Sequence, residues 1–346
     1  MTTKGIYIYG IIPNFYSAEM FRSLEDSGVY AIPYQNISAI VSDRESTLLD
    51  YTDRESLGHL LVHHQKTIEA LTYSGFTLII PLRLGTILGS REEVVRIMAN
   101  GHALIMDALK KIQFLTEIDI AVTWADFSAT LQEVASHPDI VAIKEELSTK
   151  ANTLSQVEQV KVGMLIQMQL KEKNSKVELD ILESLTAASI DIKNHEVMND
   201  QMITNSAFLI NRNNRVKFEQ LIDQIDEKYQ GMLNFKLVGP LPCYSFYTIE
   251  VKELSPELVG LAKKELGLNG ETSETEIKKV YLEKARHYHP DSQNETANQG
   301  DFTQINKAYH AMLEYAQAVR QSSKEGVISL ADENVKRNLI LVKIKE

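Results

Sequence analysis

The sequence is poor in the residues that build covalent or metal-bound cores. Among its 346 residues there is one cysteine, Cys243, and one tryptophan, Trp124. A single thiol excludes an intrachain disulfide and a cysteine-rich zinc site, and it agrees with a reducing cytoplasm. No apolar run reaches the roughly 20 residues that a membrane-spanning helix needs, and residues 1–5 lead into a strand pattern rather than a signal peptide. We therefore expect a cytoplasmic protein without a membrane partner.

Positive charge is also scarce. The chain has 36 Lys and Arg residues against 47 Asp and Glu residues, which gives a formal net charge of −11. This balance disfavours binding to nucleic acid, because contact with the phosphate backbone requires an excess of positive charge. The acidic residues are spread over predicted helices rather than gathered in a tail, so they indicate solubility. The length predicts two or three domains.

The motifs that most often carry catalysis are missing as well. The sequence has no Gly-rich phosphate loop, nucleophile elbow, metal-ligand cluster or pair of carboxylates in a convincing context. His59 and His63 have the spacing of a helical metal site, but Leu60 stands where a zinc protease needs glutamate and no third ligand follows. We interpret these histidines, with His64, as surface residues of a helix. We expect no enzymatic activity, catalytic residue, cofactor or metal.

The first 125 residues have the element order of a small α+β sheet domain. Strands are predicted at residues 5–12, 29–33, 37–41, 76–82 and 118–124, and helices at residues 17–27, 53–74 and 91–113. The order strand, helix, two strands, helix, strand predicts a ferredoxin-like fold with the helices on one face of the sheet.

Residues 126–252 predict a mainly α-helical second domain. From residue 128 to about 198 apolar residues recur at helical steps in a strongly charged sequence, which predicts a long antiparallel helical pair. A small β-α-β end follows, with a strand at 206–210, a helix at 215–230 and a strand at 233–238. Residues 244–251 form a last strand-like run.

The most specific pattern lies further along the chain, between residues 273 and 316. Ser273 and Glu276 form a capping box at the start of an amphipathic helix. The helix should end at His289, because Pro290 lacks an amide donor and disfavours the helical conformation of the preceding residue. A polar loop that begins at Asp291 leads to a second apolar stripe, which consists of Phe302, Ile305, Tyr309, Met312 and Ala316. The pattern predicts a C-terminal helical hairpin.

This hairpin resembles a J-domain over about residues 261–315. The matching pieces are residues 264–268, 276–281, 285–291, 302 and 305–309. The resemblance implies that the exposed residues of the first long helix and its loop dock on a DnaK-type chaperone and stimulate its ATP hydrolysis. The docking residues that it implies are Lys278, Lys279, Arg286, His289, Pro290 and Asp291. From the residues alone there is an alternative, in which His289 and Asp291 cap the helix end and the loop and the cations form a solvated face.

The rest of the chain is similar to another family. Residues 7–11, 80–86, 207–210 and 239–246 occur in the order and spacing of the GvpF/GvpL family of gas-vesicle accessory proteins, over roughly residues 5–251. Leu241 and Cys243 stand where that family usually has an aromatic residue and a second proline. The resemblance implies a ferredoxin-like first domain, a mainly helical second domain and a role in assembling the vesicle shell. It further implies contact with the small, very apolar structural protein of the shell.

Four residues of these segments are candidate partner contacts. Arg83 is suited either to bind an anion or a partner, or to pair with a structural carboxylate. Pro240, Tyr244 and Phe246 belong to a stiff apolar segment that suits a binding loop. The alternative is that its prolines only steer the chain between strands at a sheet edge.

Together the two resemblances predict a gas-vesicle assembly factor or minor vesicle component, located in the cytoplasm and associated with gas vesicles. It would bind the shell protein and other accessory proteins, and its J-like module would recruit a DnaK-type chaperone. The alternative is a general J-type co-chaperone with a client-binding N-terminal region. Residues 339–344 predict a strand that must return to the main body, because a lone strand is not stable. The predicted domains are residues 1–125, 126–252 and 257–322, with a C-terminal tail at 326–346.

Overall fold

The chain forms two compact units of mixed helix and sheet. Unit 1 comprises Met1–Lys111 and Tyr247–Glu346, and unit 2 comprises Ile112–Phe246. Strands within each sheet run antiparallel to their neighbours. The computed structural model describes residues 3–17, 20–21, 28–46, 54–148, 156–288, 299–322, 327–337 and 339–345. The helix predicted at residues 17–27 lies mostly outside these ranges.

The elements are a mixture of strands and helices in which several neighbours along the chain are of the same type. In the first third of the chain they are β1 (Thr3–Pro13), β2 (Val29–Tyr34), β3 (Ile37–Ser46), α1 (Arg54–Tyr73), β4 (Ile80–Pro81), β5 (Ile87–Leu88) and α2 (Arg91–Ile112). Unit 2 then contains β6 (Leu115–Trp124), α3 (Phe127–Ala135), α4 (Pro138–Ser148), α5 (Gln156–Thr186), β7 (Asp191–Asn194), β8 (Met202–Asn211), α6 (Arg215–Tyr229) and β9 (Leu233–Leu241). The chain continues with β10 (Thr248–Glu253), α7 (Pro256–Leu266), β11 (Glu271–Thr272), α8 (Glu274–Tyr288), α9 (Gln299–Ser322), β12 (Ile328–Ser329), α10 (Asp332–Arg337) and β13 (Ile340–Lys345).

The first sheet of unit 1 is built around β1. Its strand order is β2-β3-β1-β4, and β5 pairs with another part of β1. β1 is apolar on both alternating faces, as the sequence pattern predicts for a central strand, and both faces are buried. Its fully buried side chains are Tyr7, Ile8, Tyr9, Ile11 and Ile12.

The end of the chain returns to unit 1. β13 pairs with β10, so that Glu253 lies opposite Ile340 and Thr248 opposite Lys345. The backbone amide of Arg83 donates to the carbonyl of Ile249 (2.9 Å), which joins β10 to the segment after β4. The helices α7, α8 and α9 therefore lie between two strands that are paired with each other.

Unit 2 has a larger sheet than the sequence predicts, with the strand order β7-β8-β6-β9. The sequence pattern places the strand at 118–124 in the first domain, but β6 lies in the centre of this second sheet. Its partners are distant in sequence, and the alternation of apolar residues identifies a strand without identifying the sheet it joins. Ile118, Ile120 and Trp124 pack in its core.

The helical part of unit 2 also differs from the predicted long pair. It consists of α3, α4 and α5, and the strand β7 occupies part of the segment predicted as helix. Pro138 explains the break between the first two helices. A proline disfavours helix at the preceding residue, here His137, and its fixed φ suits the first position of a new helix.

Candidate functional site

The J-like module has a compact apolar core. Ile277 of α8 is fully buried and packs with residues of α7 and α9. The ring of Tyr281 stacks on that of Tyr309 with 4.0 Å between centroids, and its hydroxyl donates to Asn306 Oδ1 (2.7 Å). These contacts fix the rotation of α8 about its axis and therefore decide which side chains face the solvent.

The cations that the J-domain resemblance singles out lie on the outer face of α8. Lys278, Lys279 and Arg286 are all exposed. Lys284 differs, because its amine donates to the backbone carbonyl of Glu265 and thereby ties α8 to α7. His289, Pro290 and Asp291 lie outside the described residues.

The module is fixed to the strand pair by polar contacts from α9. The side-chain amide of Gln321 donates to the carbonyl of Val342 (2.6 Å) and accepts from its backbone N–H (3.0 Å), so it acts as a strand partner. Glu314 accepts from Lys252 of β10 (2.6 Å) and from Lys343 of β13 (3.0 Å). Burial raises the pKa of Glu314, but these two amines outweigh it and hold the pKa below its ordinary value.

The segment 239–246 of unit 2 is held on the sheet by a buried carboxyl group. Glu117 of β6 is 1 % exposed. Its Oε2 accepts from the backbone N–H of Ser245 and its Oε1 from the Ser245 hydroxyl, both at 2.8 Å. Because that hydroxyl donates to Glu117, His195 Nε2, at 3.2 Å from Ser245 Oγ, is the donor in the next contact. Lys193 donates to the Ser245 carbonyl (2.9 Å).

The electrostatics of this site favour protonated, unreactive groups. Burial, together with the charge of Asp119, raises the pKa of Glu117 to about 8. Burial also raises the pKa of Asp119, and it outweighs the hydrogen bond from Glu117 and the charge of His195, both of which lower this pKa. Burial and the charge of Glu117 raise the pKa of Cys243 to about 12, so its thiol is not poised as a nucleophile. The arrangement is suited to fixing a loop rather than to catalysis.

The candidate partner contacts fall into different environments. In unit 1, Arg83 is exposed, and its carbonyl accepts from the Thr86 hydroxyl at 2.7 Å. In unit 2, Pro240 is exposed and Tyr244 is half-buried. Phe246 is 2 % exposed, and the Lys193 amine lies 5.3 Å from its ring centroid.

Sequence reasoning did not find Glu117, Asp119, Lys193, His195 or Ser245. A signal was nevertheless present in β6. Positions 117 and 119 are two apart in a mainly apolar strand and therefore share a face. Two adjacent carboxyl groups on one face of a central strand indicate a buried polar contact, because buried polar groups need partners.

The histidines of α1 correct another expectation. His64, predicted at the helix surface, is 4 % exposed. Its Nδ1 is 2.7 Å from the Tyr7 hydroxyl, and Nε2 of His63 is 3.0 Å from the Tyr9 hydroxyl. His64 faces the sheet because α1 packs over the two tyrosines of β1. The apolar pattern of β1 does not reveal that the hydroxyl groups of these tyrosines offer partners to a buried histidine.

Two further features of the described residues are relevant to function. In these ranges no group of three or more His, Cys, Asp or Glu side chains is arranged to hold a metal ion. None of the helices in the same ranges has both the length and the apolar content needed to cross a membrane.

Comparison with protein families gives two matches along the chain. Residues 5–248 match the family described as gas vesicle synthesis protein GvpL/GvpF. Residues 264–318 match the DnaJ domain. Both resemblances noted in the sequence are thereby confirmed.

Individual relatives agree with this division. The chain is 25 % identical over 250 residues to gas vesicle protein F of Nostoc sp. strain PCC 7120, covering 71 % of this chain and 99 % of that protein. It is also 25 % identical over 248 residues to gas vesicle protein F of Dolichospermum flosaquae, covering 71 % of this chain and 98 % of that protein. Over 67 residues it is 36 % identical to chaperone protein DnaJ 1 of Aquifex aeolicus, covering 19 % of this chain and 18 % of that protein.

The fold has a counterpart among solved structures. The crystal structure of the gas vesicle protein GvpF from Anabaena sp. PCC7120 superimposes with a TM-score of 0.57 at 24 % identity, covering 70 % of this chain and 97 % of that one. The two chains share a fold over this region. The protein therefore belongs to the gas vesicle synthesis protein GvpL/GvpF family and carries a DnaJ domain at residues 264–318.

Proposed function

We propose that the protein is a non-enzymatic assembly factor that binds the small apolar shell protein of a gas vesicle and recruits a DnaK-type chaperone to it. The observation that carries the proposal is the presence of a GvpL/GvpF body and a DnaJ domain in one chain. The proposed location is the cytoplasm, in association with gas vesicles.

The physical need for such a factor follows from the proposed client. A small apolar shell subunit passes through a soluble state in which apolar surface is exposed, and such species aggregate unless they are bound. A protein that holds the subunit and also brings an ATP-driven chaperone to it keeps the subunit available for assembly. The acidic charge of −11 suits this role, because net charge keeps a protein with apolar binding surfaces soluble.

The proposed chaperone-docking surface consists of Lys278, Lys279, Arg286, His289, Pro290 and Asp291. The exposure of the three cations on α8 supports this proposal, because exposed charges steer association with an acidic partner. Among the other candidates, Arg83 and Pro240 are exposed and Tyr244 is half-buried, so we propose them as partner contacts. For the buried Phe246 we propose that it contributes by holding its segment in place.

Stimulated ATP hydrolysis tests the chaperone half of the proposal. The intact protein should raise the ATPase rate of a purified DnaK-type chaperone, and His289→Gln should abolish the increase. His59→Gln is a matched control, since His59 is an exposed histidine on α1 outside the DnaJ domain. An unchanged stimulation by His289→Gln would contradict the proposed docking role.

Capture of the shell protein tests the other half. The tagged protein should retain the shell protein from cells that make gas vesicles, and His289→Gln should leave this capture intact. A chain that retains many unrelated unfolded proteins equally well would instead be a general J-type co-chaperone. A chain that remains with washed vesicles would be a minor wall component, whereas an assembly factor stays mostly in the soluble fraction.

We also propose a ferredoxin-like arrangement for the first domain. The support is the order of the strands across the sheet, β2-β3-β1-β4, which is the spatial order expected when a β-α-β-β-α-β chain forms that fold. The domain division that the sequence predicts is 1–125, 126–252 and 257–322, with a tail at 326–346. The central position of β6 in the sheet of unit 2 favours moving the first boundary to about residue 112.

A further inference from the structure

Unit 2 has an open groove between α5 and the segment that leads into β8. Its volume is about 750 Å³. Four of the ten methionines of the chain line it, namely Met164, Met168, Met198 and Met202. Its floor is formed by Leu170 and Ile203, which belong to the buried core.

The apolar side chains along this groove are unusually exposed. Met164 is 64 %, Met168 56 % and Met198 80 % exposed. Val157 and Val160 continue the stripe along α5 and are also exposed. Single exposed apolar residues are ordinary, but a contiguous apolar stripe beside a groove marks a binding surface.

The walls of the groove are fixed while its lining is adaptable. The Trp124 indole N–H donates to Asn174 Oδ1 (2.7 Å), and Asn174 Nδ2 donates to the carbonyl of Asp200 (3.1 Å). Asn174 of α5 thus ties the helix to the opposite wall. Methionine side chains are flexible and polarizable, so they repack around different apolar partners. A fixed backbone with such a lining lowers the entropy cost of binding without demanding one exact shape.

One part of the groove is polar and mainly acidic. Glu178 and Asp200 line it with two carboxylates, whereas Lys171 contributes one amine. An apolar partner with a lysine or arginine facing these carboxylates would be complementary in charge, and one with an acidic residue there would be repelled.

We infer that this groove binds one amphipathic helix, with an apolar face and a cation near one end, and that the helix belongs to the shell subunit. The inference rests on the proposed function for the identity of the partner. A helix suits the groove better than a strand, because the walls offer side chains of α5 rather than an unpaired strand edge. From Met164 to Glu178 the wall runs for about 21 Å at 1.5 Å per residue, the length of a helix of about 14 residues.

A synthetic peptide tests the groove directly. The probe is a fluorescent 14-residue helix with leucines on one face and two lysines at one end. It should bind the full chain, and a version with two glutamates at that end should bind several-fold more weakly. Met164→Gln with Met168→Gln should weaken binding by about tenfold or more, as for central interface residues. Met232→Gln is the matched control, since Met232 is an exposed methionine of unit 2 outside the groove.

The readouts separate the groove from the wider proposal. Unchanged Trp124 emission shows that the variants keep the fold of unit 2. Equal peptide binding by the methionine double variant and the wild type would overturn the groove as a binding site. If shell-protein capture persists in a variant that no longer binds the peptide, the occupant is wrong while the proposed function stands. If the wild type captures no shell protein, the proposed function fails as well. A dimer that the double variant dissolves would identify a second copy of this chain as the occupant.

Discussion

The buried carboxyl of Glu117 should make the stability of unit 2 depend on pH, and one amide substitution should remove that dependence. Glu117→Gln preserves the shape of the side chain. Its amide oxygen can accept from the backbone N–H of Ser245, and its amide nitrogen can donate to the Ser245 hydroxyl. Both anchoring contacts of the 239–246 segment therefore survive, and only the titration is lost.

The sign of the effect follows from the raised pKa. The pKa of Glu117 is about 8 in the folded protein, against roughly 4.3 in an unfolded chain. Between these values the unfolded state releases a proton that the folded state keeps, so the free energy of unfolding falls as pH rises through this interval. The limiting slope is about 1.4 kcal/mol per pH unit. From pH 5 to pH 8 we expect a loss of about 2–4 kcal/mol that Glu117→Gln does not share.

The single tryptophan makes this measurable for unit 2 alone. Trp124 lies on β6, the strand that carries Glu117, and it is buried. Urea unfolding followed by tryptophan emission should give similar midpoints for the wild type and Glu117→Gln at pH 5, and a higher midpoint for the variant at pH 8. Glu117→Ala should instead be less stable than Glu117→Gln at both values, because it leaves the Ser245 amide without its acceptor. Equal pH slopes for the wild type and Glu117→Gln would refute the reasoning.

Four smaller predictions concern other parts of the fold. Gly101→Ala should destabilise unit 1 by about 1–3 kcal/mol in thermal unfolding, because an added Cβ would lie 2.7 Å from Val342 Cγ1; an unchanged midpoint would contradict this packing. Gly163→Ala, on α5 with open space around it, should raise the stability of unit 2 by about 0.5–1 kcal/mol, and a loss would mean that its surroundings are crowded. Burial lowers the pKa of His64 to about 4. The stability that its neutral form contributes should therefore be present above pH 6.5 and lost as pH falls to 4. When unfolding is followed by circular dichroism, stability in this pH range should depend less on pH for His64→Gln than for the wild type. Tyr281→Phe should cost about 1 kcal/mol through one lost hydrogen bond while the ring stack remains, and a much larger loss would show that the stack had also failed.

Local pattern was sufficient for much of the fold. The apolar alternation of β1 predicted a central strand, and the spacing of Ile277 and Tyr281 predicted the packed face of α8. In both cases burial sets the spacing of the apolar residues, so about ten residues of sequence are enough to predict the element and its buried face. The His-Pro-Asp context and the four ordered segments then identified both families.

Local pattern did not predict strand pairing or burial that depends on residues far apart in the sequence. The sheet that contains β6 is decided by contacts with strands about 90 and 115 residues further along the chain. The burial of His64 depends on tyrosines of a different element. The raised pKa of Glu117 follows from its burial and from the charge of Asp119, and the Ser245 that it holds lies 128 residues further along the chain. Local chemistry could have predicted the start of α4 at Pro138, since proline suits the first turn of a helix.

Because β10 pairs with β13, the DnaJ domain between them can be deleted without breaking that strand pair. Its flanking strands place Glu253 directly opposite Ile340, and paired residues lie about 5 Å apart. A short Gly-containing turn is therefore enough to close these strands into a hairpin after the intervening residues are deleted, with the rest of unit 1 keeping its strand pair. By contrast, a stop codon before β13 would remove the strand partner of β10. It would also remove Leu341, which belongs to the core that α9 packs in. By the same geometry, the two strands of this chain can hold any inserted module whose ends lie close together, without a change in their pairing.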